Sequence, residues 1–319
     1  MTGARSEIER AAELLLKGGL VAFPTETVYG LGALACNDKA IGRVYVAKGR
    51  PGHNPLIAHV ASRADAAVFA DLDQRATALA ERFWPGPLTL VLPLKVPAAV
   101  SPVMTAGLAT VAVRVPAHPM ARALLEAVEL PVAAPSANRS GGISPTTAGH
   151  VVDELGDALD MVLDGGPCPV GIESTVVDLS APDVAHILRP GGLDRTVIEA
   201  CVGPIAATAA NAPLRGPGML ARHYAPSHPL RLNATRVRPG EALLAFGPRP
   251  LEGAAHMLNL SPSGDLDEAA RNLYAMLRDL DQRPVRAIAV MPIPARGLGE
   301  AIADRLGRGA VPAGSASAA

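Results

Sequence analysis

Residues 202–229 (VGPIAATAANAPLRGPGMLARHYAPSHP) combine proline, glycine and small side chains with no sustained apolar period, and periodic sequence flanks them on both sides. Connections inside a compact domain are rarely this long. The chain therefore divides into a large block at 1–201, a linker or lid at 202–229, a small block at 230–307 and a flexible tail at 308–319. A chain of 319 residues is long enough for two domains and can bury a core without disulfides or a structural metal.

Composition narrows the class. There are 31 glycines and 30 prolines, a level that can signal disorder, but 49% of the residues are hydrophobic and disordered chains are poor in such residues. Glycine and proline thus belong to turns between buried elements, where sites are built. A formal net charge of -1 argues against a strongly basic nucleic-acid binder. Cys36, Cys168 and Cys201 stand far apart with no CxxC pair, which argues against zinc ribbons, thioredoxin-type redox sites and secreted disulfide frameworks. The first ten residues lack the apolar core of a signal peptide, and no apolar run approaches the roughly 18 residues of a membrane span. A soluble cytoplasmic protein is expected.

Periodicity predicts the elements. Ser6 and Glu9 form a capping-box pattern ahead of a first helix that Gly18 and Gly19 stop. Further helices are expected near 38–48, 73–83, 119–128, 146–155 and 194–201, and strands near 20–23, 55–61, 88–94, 110–115, 131–134, 161–163, 174–179 and 186–188. Some strands are adjacent and others are separated by helices, so the block reads as a layered α/β domain with a twisted mixed sheet. In the second block, strands at 241–246, 256–260 and 285–291 alternate with helices at 266–280 and 299–306, the pattern of a small Rossmann-like α/β domain of the three-layer type.

Three segments are candidates for chemistry. Gly30, Gly32 and Ala35 match the outline GxGxxA, but no acidic residue follows at about 20 positions and Cys36-Asn37 interrupts any helix. A glycine turn allowing close packing is the better reading. In VYVAKGRPGHNPLIAH, Lys48 and Arg50 end a helix, Asn54 follows and His59 joins the next strand. Helix capping alone accounts for two cations there, yet the chain has only four lysines, and two cations plus an amide make a phosphate or carboxylate clamp. In AAPSANRSGGISPT, Ser136, Asn138 and Thr146 offer donors beside a helix N-terminus, suited to an anion, although such residues also make ordinary turns and caps. Thr110 and Arg114 in TVAVR, Ser174 and Thr175 in ESTVVD and Arg189 in ILRPGG lie at similar strand ends. Arg114 is the most informative, because an inward arginine needs an anionic partner. Cations and donors dominate, with Glu26 the main carboxylate, which suits stabilising phosphate charge better than abstracting protons.

In this order, PTETVYGLG, KGRP with NPL and His59, PSAN with SPT, ESTVVD and ILRPG resemble the YrdC-like family, the threonylcarbamoyl-AMP synthases. ARHYAPSHPL with a second small α/β domain resembles its longer two-domain form. The resemblance covers residues 10–306. It implies an enzyme, a nucleotidyltransferase, that condenses L-threonine, bicarbonate and ATP, with Mg²⁺ carried by the ATP and no protein-held metal, to L-threonylcarbamoyl-AMP and pyrophosphate. A separate transferase would use that product on ANN-decoding tRNAs, with transient contact between the two proteins. Carried over by motif, Thr27, His59, Arg114, Ser136 and Thr175 would surround threonine, with Ser174 the alternative to Thr175. Lys48, Arg50, Asn54, Thr110, Asn138, Thr146 and Arg189 would hold the nucleotide, Tyr224 would close over it, and Lys48, Arg50, Ser136 and Asn138 match the KxR and SxN signatures. Gly52-His53 before Asn54 departs from the usual small polar residue.

Two competing classes remain at this stage. A cationic concave surface can hold RNA directly, but aromatics make only 3% of the chain, too few for a stacking platform. A carbamoyl-adenylate former of a maturation pathway shares the cavity but carries zinc-binding cysteine motifs, which are absent here.

Overall fold

The computed structural model describes residues 2–207, 216 and 222–312. The central part of the expected linker, 208–215 and 217–221, and residues 313–319 of the expected tail lie outside the described residues.

A ten-stranded mixed sheet organises the first domain. Its strands run, in spatial order, Ala206–Ala207, His186–Arg189, Thr175–Asp178, Leu88–Pro93, Thr110–Arg114, Ile57–His59, Val132–Ala133, Gly30–Leu34, Val21–Phe23 and Met161–Val162. Leu88–Pro93 pairs antiparallel with Thr110–Arg114 and parallel with Thr175–Asp178. Thr110–Arg114 in turn pairs parallel with Ile57–His59. Nearly all residues of the central strands are buried, so these strands read as continuous apolar runs.

The two faces are covered unequally. The main core packs Leu88, Leu90, Val111, Val113 and Val177 against helices Asp38–Lys48, Arg63–Phe69 and Gln74–Phe83. On the other face, Thr2–Leu16 and Pro119–Val128 cover only the end containing Val21, Phe23, Leu34 and Val132. The middle of that face keeps a small apolar cluster of Ile57, Val91, Ala112, Val176 and Leu188. This cluster contains no helix residue, yet its side chains are all buried, with Gly216 of the linker against Leu188, Val91 and Val176; it is the floor on which the site is built.

Most expected elements form, but two short strands were not expected, Ala206–Ala207 within the expected linker and Leu230–Arg231, and four further differences stand out. Thr2–Leu16 begins ahead of Ser6, so Ser6 lies within the helix and does not cap it. Gly30–Leu34 is a strand where a loop was expected, and it excludes a dinucleotide turn. A Cβ at Gly32 would stand 2.9 Å from a Phe23 ring carbon and 3.0 Å from the Val21 carbonyl oxygen, so only glycine permits this antiparallel pairing. The short helix Arg63–Phe69 was not anticipated; Ser62 caps it by accepting from Asp65 N at 3.2 Å. The helix expected from residue 146 begins at Ala148, with Thr147 rather than Thr146 as its cap.

The second domain is a four-stranded, all-parallel sheet in the order Leu230–Arg231, Ala287–Val290, Glu241–Ala245, Met257–Asn259. Its two helices, Leu266–Asp281 and Leu298–Gly309, pack on the same face, against Ala242, Leu244, Ile288 and Val290. The opposite face, with Leu243, Ala245 and Ala289, is covered by loop residues including Ala234, Val237, Leu251 and Ala254. Helices on both faces, as in a three-layer sandwich, are therefore not what forms. The helical layer instead faces the first domain, and its cluster continues into Val28, Ile143, Ile172 and Tyr224. Arg278 to Glu154 at 2.5 Å and Arg195 to Glu300 at 2.9 Å add ion pairs between the domains. The last helix reaches Gly309, so residues 308 and 309 belong to the domain rather than to a tail.

Candidate active site

Two-residue periodicity sets the first functional pair. Parallel pairing places His59 opposite Arg114 and Ile57 opposite Ala112. Because Ile57 and Ala112 lie in the small cluster on the second face while Ala58 and Val113 enter the main core, His59 and Arg114 project to that second face. There they line a cavity together with Thr27, Ser136 and Ser174. Arg50, Arg189 and Glu173 line it too, and His223 and Tyr224 close one side. The empty space, including open solvent at its mouth, is about 570 Å³.

Arg114 is held on three sides. Its Nη2 stands 2.6 Å from Glu26 Oε1, its Nη1 donates to Thr27 Oγ1 at 2.9 Å and its Nε donates to the Gly86 carbonyl at 3.1 Å. Glu26 is thus the anionic partner that a buried arginine requires, and its second oxygen accepts from Ala117 N at 3.0 Å. Burial, reinforced by Arg114, pulls His59 down to about 3, so its ring is neutral at physiological pH. The left-handed Gly49 at the end of Asp38–Lys48 turns the chain so that Arg50 donates to the carbonyls of Asn54 (3.1 Å) and Pro55 (2.9 Å). Burial lowers Arg50 to about 10, which leaves it charged. Arg189 donates to Ser174, to the carbonyl oxygen at 2.9 Å and to Oγ at 3.0 Å.

Lys48 has a different position. Its Nζ donates to the Ser136 carbonyl at 2.6 Å and to the Asn138 carbonyl, which ties the KGRP turn to the PSAN loop. It does not line the cavity, and burial holds it well below the ordinary lysine value. Among the described residues, neither side-chain polar atom of the buried Asn54 has a partner, and Asn138 has an unpartnered Oδ1 beside Nδ2 bonds to the carbonyls of Arg139 and Gly142. Such groups are rare in folded proteins.

Glu173 brings a carboxylate to the cavity wall. It accepts from Ser144 Oγ at 2.5 Å, from Tyr274 OH at 2.9 Å and from Arg305 Nε at 2.7 Å. Burial pushes this carboxyl up, but Arg305, Arg189 and the Ser144 hydroxyl outweigh it and hold the group at about 2. Among the described residues, no group of three or more His, Cys, Asp and Glu side chains is placed to hold a metal ion. Glu173 in the cavity wall and Glu26 behind Arg114 are each already paired with an arginine.

Comparison with known proteins bears on this geometry. A family described as "Telomere recombination" matches residues 13–191, and "Threonylcarbamoyl-AMP synthase, C-terminal domain" matches residues 193–311. The chain is 42% identical to the threonylcarbamoyl-AMP synthase of Bacillus subtilis (94% of this chain, 92% of the relative). It is 43% identical to that of Pyrococcus abyssi (94% of this chain, 93% of the relative). The crystal structure of P. abyssi Sua5 complexed with L-threonine superposes with a TM-score of 0.89 at 40% identity, covering 96% of this chain and 94% of that one. The chain belongs to the threonylcarbamoyl-AMP synthase family. Its two-domain architecture is that of the Sua5-type members.

Of the residues the motifs singled out, the fold brings Thr27, Arg50, His59, Arg114, Ser136, Arg189 and Tyr224 to one cavity. Lys48, Asn54, Thr110, Asn138 and Thr146 stand off its wall. Thr146 is engaged with His150, whose Nδ1 accepts from Thr146 N at 3.3 Å. Of the two adjacent hydroxyls left as alternatives, Ser174 lines the cavity and Thr175 does not. Thr175 Oγ1 donates to the Leu193 carbonyl at 2.6 Å and accepts from Leu193 N at 3.0 Å, away from the cavity, whereas Ser174 lines it and bonds Thr89 Oγ1 at 2.8 Å. Sequence reasoning missed Glu173, although an acidic residue in the buried run GIEST was itself a signal. It also missed Arg305 and Tyr274, which on amphipathic helices look like any surface arginine and core tyrosine.

Proposed function

We propose that this chain condenses L-threonine, bicarbonate and ATP to L-threonylcarbamoyl-AMP and pyrophosphate, for use by a separate transferase on tRNA. Near full-length identity to synthases of two organisms supports the reading. The observation that carries it is the likeness to a relative complexed with L-threonine, combined with a cavity that sets hydroxyls and Arg114 beside Arg50 and Arg189.

Threonine would lie against Thr27, His59, Ser136 and Ser174, with its carboxylate toward the Arg114 side of the floor. Its amine nitrogen, after the ammonium releases a proton to solvent, adds to bicarbonate, losing water, to give an N-carboxylate. An oxygen of that anion attacks the α-phosphorus of ATP, and the bond to the β-phosphate oxygen breaks to release pyrophosphate. The nucleophile is already anionic, so no general base is needed, and the neutral His59 fits a positioning role. Arg50 and Arg189 offset the triphosphate charge. Lys48 fixes the turn that carries Arg50 and reaches phosphate only by exchanging its carbonyl partners. Mg²⁺ would enter with ATP, held mainly by phosphate and water, since Glu173 in the wall and Glu26 behind Arg114 are both engaged with arginines.

Residues 222–225 act as a lid rather than a tether, because His223 and Tyr224 form part of the cavity wall. Replacing Arg50 with Ala tests the assignment: pyrophosphate release dependent on both threonine and bicarbonate should fall by at least about a hundredfold. Full retention refutes the role given to Arg50.

A further inference from the structure

Arg305 is 1% exposed and lies on the last helix, outside the cavity wall. A guanidinium is costly to bury, so its partners indicate what it is for. Nε donates to Glu173 Oε2 at 2.7 Å and Nη1 to Asp304 Oδ2 at 2.7 Å. Its guanidinium carbon sits 4.8 Å from the centre of the Tyr224 ring. Tyr274, on the other helix of the second domain, stacks on the same ring at 6.0 Å with a 26° interplanar angle and donates to Glu173. The Tyr224 ring is therefore held by two side chains of the second domain, which are themselves joined through a carboxylate of the first.

The backbone repeats this arrangement. Tyr224 has a φ of 60°, a left-handed conformation that a bulky residue adopts only when its surroundings hold it. On one side, His223 N donates to the Arg308 carbonyl at 3.4 Å and Arg222 Nε to the Val311 carbonyl at 3.1 Å. On the other, Ala225 N donates to the Gly141 carbonyl at 2.9 Å. A Cβ at Gly309 would stand 3.1 Å from the Tyr224 carbonyl oxygen, so the helix end and the lid are in close contact. Among the described residues, the Tyr224 hydroxyl and His223 Nδ1 have no hydrogen-bond partner. What fixes the pair is thus ring contact and backbone rather than hydrogen bonds from the cavity.

We propose that Arg305, with Tyr274 and Glu173, is a positioning group that latches His223 and Tyr224 over the cavity, and that this latch is the contribution of the second domain to the reaction. The proposal rests on the synthase reading for its kinetic consequence but not for its geometry. Lysine at 305 keeps a charge for Glu173 but lacks the planar fork that lies on the Tyr224 ring. Methionine keeps much of the length without charge.

The test uses the full-length Arg305→Met and Arg305→Lys proteins and follows tryptic cleavage of the Arg222–His223 bond, a readout that requires no turnover. Both variants are expected to be cut there at least roughly tenfold faster than the parent. Cleavage at sites in the sheet should stay within about twofold of the parent, because only the lid is released. In turnover, kcat should fall by roughly tenfold or more while L-threonine affinity by calorimetry stays within about threefold. If methionine prevents folding, the lysine variant decides alone. Unchanged cleavage at Arg222–His223 overturns the latch, and so does equal acceleration at every site, which marks a purely structural arginine. If the parent forms no threonylcarbamoyl-AMP but the cleavage result holds, the synthase reading fails and the latch survives.

Discussion

Arg114 Nη1 donates to the Thr27 hydroxyl across 2.9 Å, joining two residues separated by 87 positions at the floor of the cavity. The same guanidinium is paired with Glu26 at 2.6 Å, and both side chains are nearly inaccessible to water. Removing one partner of such a pair leaves an uncompensated buried charge. Glu26→Gln should therefore destabilise the protein by about 3–5 kcal/mol in a denaturant titration. Arg114→Lys keeps the charge but cannot reach Thr27, Glu26 and the Gly86 carbonyl together, and is expected to raise KM for threonine more than it lowers kcat. A Glu26→Gln protein as stable as the parent contradicts this account of the floor.

Ser174 and Thr175 separate cleanly in their predicted effects. Thr175→Val removes a hydroxyl bonded to both backbone groups of Leu193 and should cost about 1–3 kcal/mol of stability while leaving threonine binding unchanged. Ser174→Ala removes a cavity hydroxyl bonded to Thr89 and Arg189 and should weaken threonine binding. Calorimetry and thermal unfolding of the two variants check the assignment, and an inverted pattern reverses it.

The two residues also show what was legible in the sequence. The strand ESTVVD was readable, but which of two adjacent hydroxyls faces the ligand depends on register, and one residue of shift exchanges the faces. Lys48 illustrates a second limit. Its type and spacing marked a phosphate clamp, yet the carbonyls of Ser136 and Asn138 that capture it come from a loop 88 and 90 residues away. The helices near 38–48 and 119–128 were readable because apolar spacing and caps agree locally. Gly30–Leu34 was not, since its glycines have little strand preference and its conformation depends on pairing with Val21–Phe23 and with the distant Val132–Ala133. The latch around Arg305 left no local signal, because every one of its contacts except Asp304 is long-range.

His59 and His223 make stability depend on pH in a definite direction. Burial holds both rings at about 3, against an ordinary 6.5. As pH falls below 6.5 the unfolded chain binds protons at these rings while the folded protein does not. Their contribution is thus fully present above 6.5 and is lost as pH falls toward 3, at up to about 1.4 kcal/mol per pH unit for each ring. His118 and His150 are lowered by burial too and act in the same sense. Denaturant midpoints between pH 5 and 7 should fall with acidification, and less steeply for His59→Asn than for the parent. Parallel slopes would falsify the buried neutral state of His59.

The most direct measurement of the central claim is formation of the AMP ester from ATP and bicarbonate with L-threonine, with L-serine and with no amino acid. The account predicts L-threonylcarbamoyl-AMP and stoichiometric pyrophosphate with threonine, lower turnover with serine, which lacks the methyl group, and none without an amino acid. Equal pyrophosphate release in the absence of any amino acid contradicts it.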